Sequence, residues 1–237
     1  MAPRKTAAAT KRAARRTTPP DRELLKERAY RELKGLIQSG ELPPQASLSE
    51  RQLAERLGMS KTPIRAALEI LEAQGLVAVS PQKGVLVLEL SAREVGDLFE
   101  VRQAVEPFIA AQLARRGAPR ELRERIKANL KEQRSAVRSE DAAAATRLDI
   151  LFHRSLAEGL DNRELSGWLE RCFDKLQRSV MRINRLVAGR LGRSTKDHER
   201  IAEAVFAGDP DAAAAEMLSH LRYGRQFLLE GPGVDEN

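Results

Sequence analysis

The sequence predicts a mainly α protein in two unequal units, a short-helix unit closed by a hairpin and then an all-α antiparallel helical bundle. Three observations carry this. Only 4% of residues are aromatic and 15 are glycine, while Ala, Leu, Glu and Arg recur at helical spacing. The one stretch with β-type patterning is "LVAVSPQKGVLVLEL", residues 76–90. At 237 residues the chain exceeds the usual size of a single domain.

Composition narrows the class further. A single cysteine, Cys172, cannot close an internal disulfide, so nothing requires an oxidising compartment. No apolar run approaches the roughly 18 residues of a membrane span, and the basic N-terminus lacks the apolar core of a secretory signal. A soluble, cytoplasmic protein without membrane partners is expected. The formal charge of +7 is concentrated: residues 1–20 carry +6, residues 21–90 balance to 0, and residues 91–237 carry +1. Residues 1–20, rich in Ala, Thr, Pro and cations, read as a disordered basic tail. Such a tail is either a non-specific attractor of nucleic-acid phosphates or a solubilising leader.

Residues 21–90 read as the first folded unit. Asp21 can cap a first helix whose apolar face is Leu25, Ala29, Leu33, Leu36 and Ile37, with Gly40 at its end. "ELPPQASL" reads as a loop. Ser49 with Gln52 three residues on is a capping-box signature for a short second helix, which stops at Gly58. "GMSK" leaves room only for a tight turn before a third helix with Pro63 in its first turn, Ile64, Leu68 and Leu71 inward, and Gly75 beyond. Two β-rich runs around residues 81–84 complete a two-stranded wing. Helix, helix-turn-helix and hairpin make a winged helix-turn-helix, which places the leading turn of the third helix, Lys61, Thr62 and Arg65, at base edges in the major groove. The alternatives are a merely solvated helix face, or a winged helix that binds protein.

From Ser91, which can cap a helix, residues 91–230 read as helices over about 91–116, 119–139, 141–160, 162–190, 194–207 and 210–229, with residues 231–237 as a flexible C-terminus. "RGAP", "EGLDN" and "AGDPD" are the breaks, and in the last Asp209 caps while Pro210 takes the first helical position. No repeat recurs, which favours a bundle over a solenoid. All three histidines of the chain, His153, His198 and His220, fall here, each among aliphatic neighbours at helical spacing. Asp149 stands one turn before His153 on the same face. A carboxylate in an apolar interior takes up a proton or a cationic partner. Three imidazoles and one carboxylate suit a divalent metal, zinc first, with nickel, manganese and iron as alternatives. Free coordination positions would accept the carboxylate and hydroxyl of a small organic acid. Taken singly, each buried histidine is better explained by a backbone carbonyl partner.

"LSERQLAERLGMSKTPIRAALEILEAQGLVAVSPQKGVLV" resembles the winged helix of GntR-type transcription regulators, in particular the FadR subgroup, over about 65 residues. The resemblance implies DNA contacts at Arg51, Lys61, Thr62, Arg65 and the wing glycine Gly84. Lys61 departs from the more usual arginine, exchanging a bidentate fork for a point charge. "FEVRQAVEPFIAAQLA", the Asp-x-x-x-His at Asp149 and His153, and "DHERIAEAVFAGDPDAAAAEMLSHL" resemble the FCD ligand-binding domain over roughly 140 residues. That implies a metal tetrad at Asp149, His153, His198 and His220. It also offers Arg102 as a clamp for an acidic effector, against the alternative of a salt bridge to Glu106. The expectation is a homodimeric, metal-containing regulator, in the commoner case a repressor, that binds an inverted-repeat DNA operator under the control of a small carboxylate. The competing classes are a metal-dependent hydrolase or lyase and an architectural DNA binder that works through its tail.

Overall fold

Helix α1 (Pro19–Gln38) begins before Asp21, so that residue lies inside the helix and does not cap it. Prolines are tolerated in a first turn because its N–H groups have no intrahelical acceptor, which lets the helix start at Pro19. The structure is a computed structural model describing residues 19–80, 84–186 and 190–230; the expected tail, the tip of the wing and the C-terminal residues 231–237 otherwise lie outside the described residues.

Strand β1 (Ser47–Leu48) is followed by α2 (Glu50–Leu57), α3 (Lys61–Ala73), β2 (Val77–Ser80) and β3 (Gly84–Val87). The wing has three strands where two were expected, in the order β1-β3-β2 and antiparallel throughout. The end of "ELPPQASL" pairs Ser47 with Leu86 and Leu48 with Val85. Two residues are too few to show an alternating pattern, which is why the strand reads as loop. Ser49 and Gln52 form the expected capping box, and Gly58 closes α2 in the left-handed region at φ 62°. Ala29, Leu33 and Ile37 of α1 pack with Leu53, Ile64, Leu68 and Leu71 and with Val77 and Val85 of the sheet in one dry core.

The second unit comprises α4 (Ala92–Arg116), α5 (Arg120–Arg138), α6 (Ala142–Glu158), α7 (Arg163–Leu186), α8 (Arg190–Ala207) and α9 (Pro210–Glu230). Ser91 caps α4 through a box with Glu94, and Asp209 accepts from the backbone of Asp211 and Ala212 at the start of α9. The break expected at 191–193 falls inside α8. The helix penalty of Gly192, about 1 kcal/mol, is too small to stop it against packing. Helix α4 lies along α9, α5 along α6 and α8, and α7 along α6. They enclose a second core around Phe99, Phe152, Phe173, Ile109, Leu113 and Ile126 that shares no residue with the first. Among the described residues no helix is long and apolar enough to cross a membrane.

Candidate metal centre and nucleic-acid interface

Helices α6, α8 and α9 bring Asp149, His153, His198 and His220 together, with one ligand atom from each lying within 4.8 Å of the others. His153 and His198 are essentially inaccessible, and His220 is 8% exposed. The Nε2 atoms face one another: His153 to His220 at 3.2 Å and His198 to His220 at 3.3 Å, with Asp149 Oδ1 at 3.5 Å from His198 Nε2. Zinc–imidazole bonds of about 2.0–2.1 Å at right or tetrahedral angles put ligand nitrogens about 2.8–3.4 Å apart, so the cage has the dimensions of a metal site.

What fixes the rings lies one layer out. His198 Nδ1 is 2.9 Å from Gln133 Oε1. Gln133 Nε2 donates to Asn129 Oδ1 at 2.7 Å, and Asn129 Nδ2 donates to the Leu148 carbonyl at 3.0 Å. A backbone carbonyl only accepts, which orients both amides in turn and leaves His198 Nδ1 as the donor. His198 Nε2 therefore carries a lone pair into the cage. His153 Nδ1 faces Glu106 Oε2 at 2.5 Å, and His220 Nδ1 faces Asp197 Oδ2 at 3.4 Å, which biases both rings the same way. Asp149 accepts from Ser194 Oγ at 3.1 Å. Three lone pairs and a carboxylate pointed at one buried spot repel each other, and a cation at their centre removes the repulsion.

Burial, then the charge of His220, pushes His198 well below the usual imidazole range. Burial also lowers His220, against the pull of Asp197. Both rings are thus held in the neutral form that ligates metal. Burial alone would raise the Glu106 carboxyl, but the Arg102 guanidinium and then the His153 ring hold it at about 2.

Of the two alternatives left by the sequence for Arg102, the salt bridge to Glu106 is formed. Its Nε donates to Glu106 Oε1 at 2.5 Å, while its Nη2 is buried with no hydrogen-bond partner. The side chain lines a narrow cavity with Asp149, Ser194, His220 and Tyr223, of which about 20 Å³ admits the centre of a water molecule.

On the other unit, Arg51, Lys61, Thr62 and Arg65 are all exposed around the start of α2 and α3. Arg65 is held by two bonds to Glu50, Nε to Oε1 at 3.1 Å and Nη2 to Oε2 at 2.8 Å, a fork that presets its direction. Arg65, outweighing the small effect of burial, lowers the Glu50 carboxyl. Gly84 sits at φ 78°, where a Cβ would come within 2.5 Å of the Leu48 carbonyl oxygen, so glycine is required where β1 crosses the wing.

Residues 97–223, more than half of the chain, match the FCD domain, and residues 25–87 match the bacterial regulatory proteins of the gntR family. The chain belongs to the gntR family, with an FCD domain. The regulator is 28% identical over 200 residues to the uncharacterized HTH-type transcriptional regulator YdhC of Bacillus subtilis, covering 84% of this chain and 88% of that one. It is 30% identical over 197 residues to the putative L-lactate dehydrogenase operon regulatory protein of Escherichia coli, covering 74% of each. The probable D-xylose utilization operon transcriptional repressor of Paenarthrobacter nicotinovorans is 27% identical over 187 residues, covering 78% and 80%. Among solved structures, Escherichia coli McbR/YncC superposes with a TM-score of 0.77 at 21% identity, covering 87% of this chain and 97% of that one, a likeness of fold. This GntR–FCD protein is therefore a DNA-binding transcription regulator and not an enzyme, and the hydrolase or lyase reading of the tetrad falls away.

The four tetrad residues expected from the sequence of the regulator are brought together. The outer partners Gln133, Asn129, Asp197 and Ser194 were missed. Asn129 and Gln133 interrupt the inward stripe of α5 between Ile126 and Ala136, a signal present in the sequence but ambiguous without its partner helix.

Proposed function

We propose that this regulator is a homodimeric, metal-containing repressor, with residues 21–90 reading an inverted-repeat operator and residues 91–230 sensing a small carboxylate. The observation that carries the reading is the convergence of three Nε2 lone pairs on Asp149, each ring being steered from its Nδ1 side. A divalent metal, zinc first, would be held by Asp149, His153, His198 and His220 and would supply a Lewis-acidic anchor for a carboxylate. Arg102 meets the same carboxylate from the cavity wall with Nη2, while its bond to Glu106 fixes the guanidinium in place. Ser194, beside Asp149, offers a hydroxyl to a 2-hydroxyl group on the ligand. A hydroxy acid is also the chemistry named in the E. coli relative, an L-lactate dehydrogenase operon regulator.

At the DNA, Arg65 and Thr62 are read as base contacts, Arg51 and Lys61 as phosphate contacts, and Gly84 as the residue that lets the wing approach the backbone. The effector acts only through different affinities for the DNA-competent and DNA-incompetent arrangements, and a difference of about 1–3 kcal/mol changes operator affinity about 5- to 150-fold. The test is elemental analysis of the purified protein together with operator binding under a panel of small hydroxy acids, for the wild type and for His198→Ala. The expected result is about one metal per chain and an acid-dependent loss of operator binding, both abolished in His198→Ala. Unchanged metal content and response in the variant would sink the reading.

A further inference from the structure

We propose that the cavity between the winged helix and α7 is a second small-molecule site, built for a monoanion with an apolar body and anchored by Arg178. The cavity measures about 220 Å³. Pro44 comes from the connection between α1 and β1, Leu90 from the connection between β3 and α4, and Lys175, Arg178, Met181 and Arg182 from α7. It therefore lies across the junction of the two units. It shares no lining residue with the cavity beside the tetrad.

The charges at its wall are unbalanced. Glu89, the carboxylate of the lining, pairs with Arg182 at 3.1 Å. Lys175 and Arg178 have no carboxylate at ion-pair distance among the described residues. Arg178 Nη2 donates to the backbone carbonyl of Leu88, but Nε and Nη1 are buried without any hydrogen-bond partner. Burial lowers the pKa of this guanidinium, with Glu89 offsetting only part of the effect. A desolvated cation with two donors unmet is costly to hold, and a carboxylate supplies both the charge and the acceptors in the planar geometry a guanidinium prefers. Pro44, Leu90 and Met181 supply the apolar part of the surface beside Gly40 and Ser179, which suits a hydrocarbon body and offers the several hydroxyls of a sugar acid few partners. This chemistry differs from that of the hydroxy acid at the metal centre, and the site does not depend on the metal reading.

Helix α7 separates the two cavities: Val180 faces the one beside the tetrad, and Ser179 and Met181 face this one. An anion bound here touches both the connections of the winged helix and a wall of the sensing bundle, so it fixes their relative placement.

The test uses the full chain, with hexanoate and benzoate as probes and hexanamide and benzamide as neutral counterparts, read by calorimetry with and without chelator. The acids are expected to bind at least about tenfold more tightly than the amides, with chelator present and in His198→Ala alike. Arg178→Gln is expected to lose about tenfold or more while its metal content is unchanged, and Arg178→Lys, which keeps the charge but not the planar fork, to lose less than Arg178→Gln. Should Arg178→Gln fail to fold, Leu90→Trp, which fills the cavity from the opposite wall, is expected to abolish binding. Equal binding of acids and amides, no binding of either acid at about 10 mM, full binding in Leu90→Trp, or binding lost with chelator yet intact in Arg178→Gln would each overturn the proposal. The last would place the acids at the tetrad.

Discussion

Replacing Gln133 with leucine tests whether the metal centre depends on a residue that never touches it. Gln133 Oε1 is the acceptor that keeps the proton of His198 on Nδ1, at 2.9 Å, and the glutamine is buried. Leucine has similar bulk and no acceptor, so the tautomer with the proton on Nε2 gains ground and must be reversed before the ring can ligate. Loss of such a partner typically lowers metal affinity about 10- to 100-fold, or about 1.4–2.7 kcal/mol. With metal in excess the same amount disappears from the stability that metal confers. At about 2–4 °C per kcal/mol for a chain of this size, the rise in Tm on adding metal shrinks by roughly 3–11 °C. The substitution also weakens the metal-free protein, by about 1–3 kcal/mol, because Asn129 Oδ1 and His198 Nδ1 lose partners. The quantity to measure by calorimetry is therefore the metal-linked rise in each protein, not either Tm alone. Gln133→Glu keeps an acceptor against Nδ1 and is expected to hold affinity within a few-fold. A metal-linked rise in Gln133→Leu equal to that of the wild type would refute the relay from the Leu148 carbonyl to His198.

Three further outcomes are expected. Arg65→Ala lowers affinity for the specific operator by about 1–3 kcal/mol with little change for random DNA, measured as the ratio of the two dissociation constants; an unchanged ratio removes Arg65 from the base edges. Gly84→Ala combines a left-handed backbone with a Cβ 2.5 Å from the Leu48 carbonyl, and it destabilises the winged helix by about 1–3 kcal/mol in urea titration while metal content is retained. Burial depresses the pKa of His198, with further help from the charge of His220, and burial depresses that of His220. Both rings are neutral in folded and unfolded chains well above about pH 6.5, and as pH falls below it the unfolded chain takes up their protons before the folded one does. The metal-free protein thus loses stability as pH falls below about 6.5, at up to about 1.4 kcal/mol per pH unit for each ring, and equal urea midpoints at pH 7.5 and pH 5.5 would contradict this.

The parts legible in the sequence were those encoded within one turn of chain. The capping box at Ser49, the cap at Ser91 and the glycine stop at Gly58 each join residues a few positions apart, and all three are where the sequence puts them. The tetrad was legible for another reason: histidine is rare in this chain, and Asp149 and His153 declare a shared helix face. Strand β1 was illegible because its partner, β3, lies far along the chain and only two residues pair. The same holds for Gln133, whose bond to His198 spans 65 positions. On an amphipathic helix a glutamine reads as solvated face until the packing of α5 against α8 turns it inward. Arg102 was ambiguous because a guanidinium has several donors, and the fold uses Nε for the salt bridge while Nη2 stays unpaired beside the tetrad.

The two apolar cores share no residue, and the contacts that join the units include several polar ones. Asp174 of α7 is buried at the seam, where it accepts from Lys34 Nζ at 2.6 Å and from Gln38 Nε2 at 3.3 Å, both on α1. Burial opposes the charge on Lys34, but the bonds to Asp174 and Tyr30 and the charge of Asp174 together outweigh it and leave the pKa of the ammonium raised. Arg154 Nη2 stands 3.7 Å from the same carboxylate. Arg154 is the neighbour of His153 on α6, so a rotation of α6 that adjusts the tetrad also moves a cation facing Asp174. Helix α1 in turn packs on α3, which carries Lys61, Thr62 and Arg65. Polar contacts at a seam exchange for water at smaller cost than apolar contacts in a core, so under the proposed function a shift of the winged helix would leave both cores intact. A ligand that distinguishes two arrangements by about 1–3 kcal/mol would then be enough to reposition α3 on DNA, an amount that could not open either core.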